Sequence, residues 1–392
     1  MTTPITSSRA GFGALTYARS RLYLGISGVG TAVLAAGCLL AFDIPSAGFP
    51  ATTETSLARS MFAVGLFFLL VFGLFFLFDL VGGAWVVRRR DNAPSWFGTW
   101  VRGVAVQWVV WMLTGTALMV AARSGGVLAA VLVFVGVQIL LAQFRGPLAR
   151  VIARLERVPM PPVVAQAAEK AGIPAARVQV LDTADEGFVG GWSGVLPGTL
   201  VVPRRWAMLP VDVLAAQLAR RQLIATTGAH TRGVSGALAW NTAGLGVVLL
   251  ATAASPATAA GLVTIMAGMT LWAFAGVLVL PTPSRAAVYA ADRSAATVHS
   301  VAQVRTGIEL LDKWQDDEPT RAQNVERIFH PVPSRANRIA RLSGTSSPLG
   351  AVHAHHLARH ALWMNWGALT PLSRAVHCNV GRPALWAMLP GD

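Results

Sequence analysis

The feature that most constrains this chain is a series of long apolar runs. Each run has about 20 residues and few charges, the length that an α-helix needs to cross a hydrocarbon core of ~30 Å. Because the bilayer interior offers backbone groups no hydrogen-bonding partner, each run predicts a transmembrane helix. We predict six spans, at residues 22–42, 61–81, 104–122, 127–143, 234–253 and 259–280. The sequence is therefore that of a polytopic membrane protein.

Arginine residues predict how these spans are oriented. They cluster before the first span, between the second and third spans, and after the fourth, whereas the opposite loops hold only Arg59 and Arg123. Cytoplasmic loops carry the excess of Lys and Arg, so the N-terminus and the polar regions after Arg145 are predicted to be cytoplasmic. This bias, together with attraction to anionic membrane lipid, accounts for the net charge of +14. We therefore predict an inner- or plasma-membrane protein and no nucleic-acid partner.

The polar regions combine helices and strands. A helix at 161–171 ends before Gly172 and Pro174, and residues 177–181 and 199–202 are predicted strands. Pro210 opens another helix that runs through Arg221. An Ala-rich helix at 285–314 and a basic helix at 335–342 follow. The predicted fold class is α+β, in a polytopic membrane protein. A four-span region (1–145) comes first, and a His- and Trp-rich tail (343–392) comes last. Between them lies a cytoplasmic domain in two pieces (146–232 and 281–342), which a two-span hairpin (233–280) separates.

Several short motifs follow one another across residues 161–342. They are Ile173-Pro174 with the strand Val178-Gln179-Val180-Leu181, then Asp185-Glu186-Gly187-Phe188-Val189, Leu200-Val201-Val202-Pro203, the helix 213–224, Val288-Tyr289-Ala290-Ala291-Asp292-Arg293, and finally His330-Pro331 with Arg338-Ile339-Ala340-Arg341-Leu342. In order and spacing this series resembles the HtpX-type and CAAX-prenyl-protease-type membrane zinc metallopeptidases. The resemblance implies a metallopeptidase-like cytoplasmic domain that is split by the last two spans.

The resemblance also implies a zinc site, and there the chain departs from the family. The family's His-Glu-x-x-His helix supplies two zinc ligands and the general base, and a Glu on a later helix is the third ligand. The matching positions here are Arg220 and Ile224 for the two His, Arg221 for the base and Val288 for the third ligand. Neither a guanidinium nor an alkyl side chain can ligate zinc in their place. Of the family positions only Asp292, which would orient the ligands, is retained.

The helix at 213–224 also has an interpretation that requires no family. Leu214, Leu218 and Gln222 share one helical face, and Arg220 and Arg221 would then face lipid headgroups or solvent. The helix would be an ordinary amphipathic element beside the membrane. Both interpretations exclude a zinc site at Arg220.

The tail offers a different arrangement of possible ligands. His356 and His360 are one helical turn apart and His353 lies near the same face, so these three form an alternative metal site. The tail contains no acidic residue before Asp392 that could orient the rings. We therefore expect an interfacial amphipathic helix whose imidazoles face solvent or headgroups, and we predict no cofactor.

The sequence as a whole predicts a pseudopeptidase, a catalytically inactive protein that binds, scaffolds or regulates another membrane protein or complex. The predicted binding surface comprises an edge strand with Phe188, Leu200 and Val201, together with Trp363 and Trp366, because Trp is common at interfaces. Two alternatives stay open, an active metal-dependent enzyme that uses the tail histidines and a purely structural subunit of a membrane complex.

Overall fold

A computed structural model describes residues 16–87, 96–183, 188–195, 198–315, 319–343, 349–366 and 380. Within these ranges the protein is mostly helical, with one small mixed sheet. The Arg88–Arg90 loop, the motif residues Asp185, Glu186 and Gly187, and most of the tail after Trp366 lie outside the described residues.

Apolar helices make up most of the first 280 residues. Five of the described helices are long and apolar enough to cross a membrane, namely α1 (Tyr17–Ala41), α3 (Leu57–Asp79), α4 (Trp96–Ala153), α7 (Ala229–Thr252) and α8 (Ala259–Val279). A short helix, α2 (Ile44–Gly48), lies between α1 and α3, and a π-helical segment (Leu80–Val87) continues α3. The predicted multi-pass membrane architecture is therefore present.

The six predicted spans correspond to five helices, because the third and fourth predicted spans lie on the single segment α4. Gly126 interrupts α4 with φ 72° and ψ −167°, a conformation that glycine adopts without a Cβ clash. Ala122 and Ala130, one on each side of this break, share a buried cluster with Ala257. In a straight helix those two alanines would be ~12 Å apart along the axis. The segment therefore changes direction at Gly126.

A four-stranded sheet follows α4. Its strands lie in the order β1 (Glu156–Arg157), β2 (Val178–Asp182), β4 (Thr199–Pro203) and β3 (Gly191–Ser193). The central pair, β2 and β4, is parallel, and the two outer pairs are antiparallel. The two strands predicted from β-branched residues are the two central strands, each displaced by no more than one residue. Helix α5 (Pro162–Lys170) lies between β1 and β2 in the chain, as predicted.

One face of the sheet fixes the position of the next helix, α6 (Val211–Thr226). Val180 on β2 and Leu200 on β4 are buried in one core with Leu214 and Leu218 of α6. Asp212 lies in the first turn of α6, where a carboxylate is favoured by the helix dipole. The sheet thereby positions the helix that carries Arg220 and Arg221.

The remaining described elements cover the other side of α6 and enter the helical bundle. They are α9 (Pro281–Val298), α10 (Val301–Gln315), α11 (Gln323–Phe329), α12 (Arg335–Ala340) and α13 (Leu357–Met364). The single helix predicted at 285–314 is in fact two helices, because His299 has an extended conformation and ends α9. Both α9 and α10 pack on α6, whereas α13 packs against α4, α7, α8 and α9.

Candidate functional site

Three charged side chains from separate helices meet in the interior and form what we call the Arg–Asp–Arg cluster. Arg220 on α6 donates from Nε to Oδ1 of Asp292 on α9. Arg338 on α12 donates from Nε to Asp292 Oδ2 and from Nη2 to Oδ1, each at 2.8 Å. The three residues are 0%, 1% and 6% exposed, respectively. One carboxylate therefore joins two guanidinium groups and three helices that are distant in sequence.

Arg221 is buried as well and bridges α6 to the sheet. Its Nη2 donates to the Val189 carbonyl at 2.7 Å, and its guanidinium lies over the Trp206 ring, 4.2 Å from the centroid. Its own carbonyl accepts a 2.7 Å hydrogen bond from Trp192 Nε1. These contacts replace part of the hydration that the guanidinium loses on burial. Arg221 thus fixes α6 to β3 and to the residues just before it.

The other two positions where the resemblance would place ligands are apolar and enclosed. Ile224 is 1% exposed and packs with Ala229 and Ala291, and Val288 is 0% exposed. Zinc needs nitrogen, sulfur or oxygen donors, which these side chains lack, and the Arg220 guanidinium is bound to Asp292. The residues at this place therefore do not fit a zinc ion.

The interpretation in which Arg220 and Arg221 face solvent or headgroups is wrong. The sheet and α5 cover one side of α6, and α9 and α10 cover the other, so both arginines are enclosed. Arg338 was part of a motif in the sequence but did not stand out as a site residue. Its role depends on a partner on another helix, 46 residues away, and local periodicity carries no signal for such a pair.

The fold is similar to that of a solved membrane protein, seen in the crystal structure of S. mikatae Ste24p. The TM-score is 0.61 with 12% sequence identity, and the match covers 74% of this chain and 76% of that chain. No family model matches the sequence, and no curated protein matches it. At this identity the likeness shows the fold alone.

The tail histidines are placed differently from the prediction. His356 is the N-cap of α13 and has a left-handed conformation (φ 57°), and its carbonyl accepts from the His360 amide at 2.9 Å. His355, His356 and His360 are 5%, 2% and 4% exposed, which corrects the expectation that they face solvent or headgroups. The His360 ring meets His230 of α7 edge-on, with 5.4 Å between centroids. Across the described ranges, no group of three His, Cys, Asp or Glu could hold a metal ion.

His353 is held by main-chain contacts. The Gly350 amide donates to its Nδ1 at 2.8 Å, and its carbonyl accepts from Arg232 Nε at 3.1 Å. Burial lowers the pKa of the His353 imidazole below its ordinary value, which favours the neutral ring. Arg232 also donates from Nη2 to the Gly350 carbonyl at 2.9 Å, which joins this segment to α7.

Trp363 and Trp366, the tail tryptophans predicted to bind a partner, lie inside the bundle and do not form a surface. Trp366 is 2% exposed, donates from Nε1 to the Trp111 carbonyl at 3.0 Å and meets the Phe68 ring edge-on. Trp363 is 4% exposed and lies beneath the Arg145 guanidinium, 5.0 Å from its ring centroid. Helix α13 of the tail is buried because it packs between membrane helices, whereas the sequence predicted an interfacial helix.

The predicted edge strand is also enclosed. Phe188, Leu200 and Val201 are 2%, 0% and 2% exposed. β4, which contains the latter two, is an interior strand with β2 on one side and β3 on the other. These residues therefore contribute to the domain core and offer no accessible docking edge in this structure.

Proposed function

We propose that this protein is a pseudopeptidase of the membrane metallopeptidase fold, which holds or regulates another membrane protein and does not hydrolyse peptides by zinc chemistry. The observation that carries this proposal is the Arg–Asp–Arg cluster, because Arg220, at a position where the resemblance places a zinc ligand, is instead bound to Asp292. One fold can support many activities, so the residues at the site have greater weight in this proposal than the likeness of fold.

The chemistry of these residues supports the loss of catalysis. Zinc peptidases need a metal to activate water and a side chain to accept its proton. Arg221 stays protonated at any physiological pH and is hydrogen-bonded to Val189, so it cannot act as that base. Arg220 and Arg338 both pair with Asp292, the one family carboxylate that the resemblance retains. These residues therefore act in this proposal as a structural link between α6, α9 and α12.

A metal measurement tests this part of the proposal. Protein purified in mild detergent should contain far less than one zinc ion per chain, because Arg220, Ile224 and Val288 provide no ligand atoms. Elemental analysis of the purified protein is the measurement. Zinc near one ion per chain that persists after His353, His355, His356 and His360 are all replaced by alanine would contradict the proposal, since these histidines could then not be its source.

The partner would meet the outer surface of the bundle, because α13 occupies the interior. Helix α3 provides a matched pair of positions for detecting it, since Leu70 is 65% exposed and Phe68 is 0% exposed on the same helix. A photo-crosslinking residue at Leu70 should yield an adduct with a specific membrane protein in native membranes, and the same residue at Phe68 should yield none. Lipid adducts alone at outer positions, combined with zinc-dependent peptide cleavage by the purified protein, would overturn the proposal.

We also propose that α4 crosses the membrane twice, turning at Gly126, and that the N-terminus and the sheet-containing domain are cytoplasmic. The arginine distribution supports this orientation. In a variant without the native cysteines Cys38 and Cys378, a cysteine at the exposed positions Thr53 or Ser124 should react with an impermeant maleimide from outside the cell.

A cysteine at Thr320, an exposed position in the part of the chain after the last span, should react only after the membrane is permeabilised. If Ser124→Cys behaved like Thr320→Cys, the double crossing by α4 would be wrong. If Thr53→Cys and Thr320→Cys exchanged their behaviour, the orientation would be wrong.

A further inference from the structure

A cleft lies on the side of the sheet that faces away from α6. It has a volume of about 220 Å³ and separates the C-terminal end of α4 from the strands. Polar side chains from both walls line it, with Gln143 and Arg150 from α4 and Gln179, Ser193 and Thr199 from the sheet. We call it the Arg150 cleft. Because α6 packs on the opposite face of the sheet, this cleft is separate from the Arg–Asp–Arg cluster.

The two walls of the cleft are fixed to each other by direct contacts. The Val195 amide, just after β3, donates to Gln143 Oε1 at 2.9 Å. At Gly146 the helix approaches β3 so closely that a Cβ atom would lie 2.1 Å from Ser193 Oγ. Glycine therefore permits the close approach, and the cleft is preformed.

Arg150 gives the cleft its charge. Within the described parts of the chain, no ion pair or hydrogen bond involves its guanidinium. The hydroxyl groups of Ser193 and Thr199 and the amide of Gln179 likewise make no hydrogen bond to described residues. A free guanidinium beside neutral donors matches the geometry of a phosphate group, which accepts several hydrogen bonds and can bind arginine in a bidentate manner.

The surroundings of the cleft are apolar and exposed. Phe144 and Pro147 form part of its rim, and Leu140, Phe144 and Val151 on the outside of α4 are 56%, 52% and 61% exposed. This surface belongs to the end of an apolar helix that is long enough to span a membrane. A ligand with an anionic head in the cleft and hydrocarbon chains along α4 would satisfy both environments.

We propose that the Arg150 cleft binds the phosphate headgroup of an anionic membrane lipid. Arg150 would pair with the phosphate, and the hydroxyls of Ser193 and Thr199 would donate to its oxygens. The acyl chains would lie against Phe144 and Val151. This inference does not depend on the proposed function, since it uses none of the residues of the Arg–Asp–Arg cluster.

Native mass spectrometry of the full-length protein tests the proposal. The detergent-purified protein would be titrated with phosphatidylglycerol or phosphatidylcholine, and bound lipid counted per chain. We expect one phosphatidylglycerol to bind in preference to phosphatidylcholine. Arg150→Gln should weaken that binding about ten-fold or more, the effect of losing one charge-assisted contact.

Matched variants separate this site from general charge effects. Arg102→Gln removes the same charge from the same helix but does not line the cleft, so its lipid binding should equal that of the unaltered protein. Thr199→Val keeps all charges and should weaken binding by a smaller factor. Because Thr199 and Arg150 lie on different walls, misfolding of one variant would leave the other informative.

Two results would overturn the proposal. Equal phosphatidylglycerol binding by Arg150→Gln and Arg102→Gln, with both variants folded, would show that the cleft is not the site. Complete displacement of the lipid by millimolar inorganic phosphate would show that the cleft takes a free anion and that the lipid chains add nothing.

Discussion

Replacing Asp292 by asparagine should lower the free energy of unfolding by about 3–5 kcal/mol, the usual effect of removing one partner from a buried ion pair. The Asn side chain fills the same space, but it leaves two guanidinium groups, those of Arg220 and Arg338, enclosed with no carboxylate between them. Denaturant unfolding in detergent micelles, followed by tryptophan fluorescence, would measure the change.

An exposed ion pair provides the control for this variant. Glu309 pairs with Arg305 at 3.0 Å on the surface of α10, where both side chains are substantially exposed. Glu309→Gln should change the free energy of unfolding by no more than about 0.5 kcal/mol. If Asp292→Asn were as mild as Glu309→Gln, the Arg–Asp–Arg cluster would not have the structural importance assigned to it.

A triple variant distinguishes a structural cluster from one that is required for function. Replacing Arg220 and Arg338 by methionine together with Asp292→Leu removes every charge at once. Apolar replacement of a complete buried ion cluster is often neutral or stabilising. We expect the triple variant to recover most of the stability lost in Asp292→Asn and to retain the partner adduct. A stable triple variant that lost the partner would instead assign the charges a direct role in binding.

Trp366→Ala should also destabilise the protein by about 3–5 kcal/mol, the range for deleting a large enclosed aromatic side chain. The indole lies between α3 and α4, and its loss leaves a cavity beside Phe68 and removes the hydrogen bond to the Trp111 carbonyl. The measurement is the same unfolding experiment, supplemented by the protease sensitivity of residues after the last span.

Two further variants make this prediction specific. Trp366→Phe keeps most of the ring volume and loses the hydrogen bond, so its effect should be about 1–3 kcal/mol. Phe62→Ala removes a ring that is 74% exposed on the lipid side of α3 and should have little effect. Equal effects of Trp366→Ala and Phe62→Ala would mean that Trp366 does not pack inside the bundle.

Much of the architecture could be predicted from local patterns. The length of the apolar runs predicted the membrane helices, and the β-branched residues predicted β2 and β4. Both patterns involve only residues that are close together in the chain, so the sequence alone contains them. The motif order led to a fold class that agrees with the structural likeness to Ste24p. The number of described membrane helices differs from the number of predicted spans because one glycine, Gly126, connects two apolar runs within a single segment.

The arrangement of the site was harder to predict from the sequence, for a physical reason. The replaced ligand positions were visible, but an arginine on an amphipathic helix normally faces solvent, and burial here depends on Asp292, 72 residues further along the chain. The position of the tail was harder still to predict from the sequence. Its Pro and Gly residues and its histidines predict an interfacial segment, and only the surrounding helices make the interior the more favourable place for Trp363 and Trp366.

The position of α13 has a consequence for the order in which the protein is made. Residues 357–366 leave the ribosome after all the described membrane helices, yet they fill the space between those helices. The described membrane helices are therefore synthesised before the segment that packs among them, and this segment completes the core last. A nascent chain interrupted before residue 357 would contain all the described membrane helices but lack Leu362 and Trp366, which pack among them, so membrane quality control could distinguish it from the finished protein.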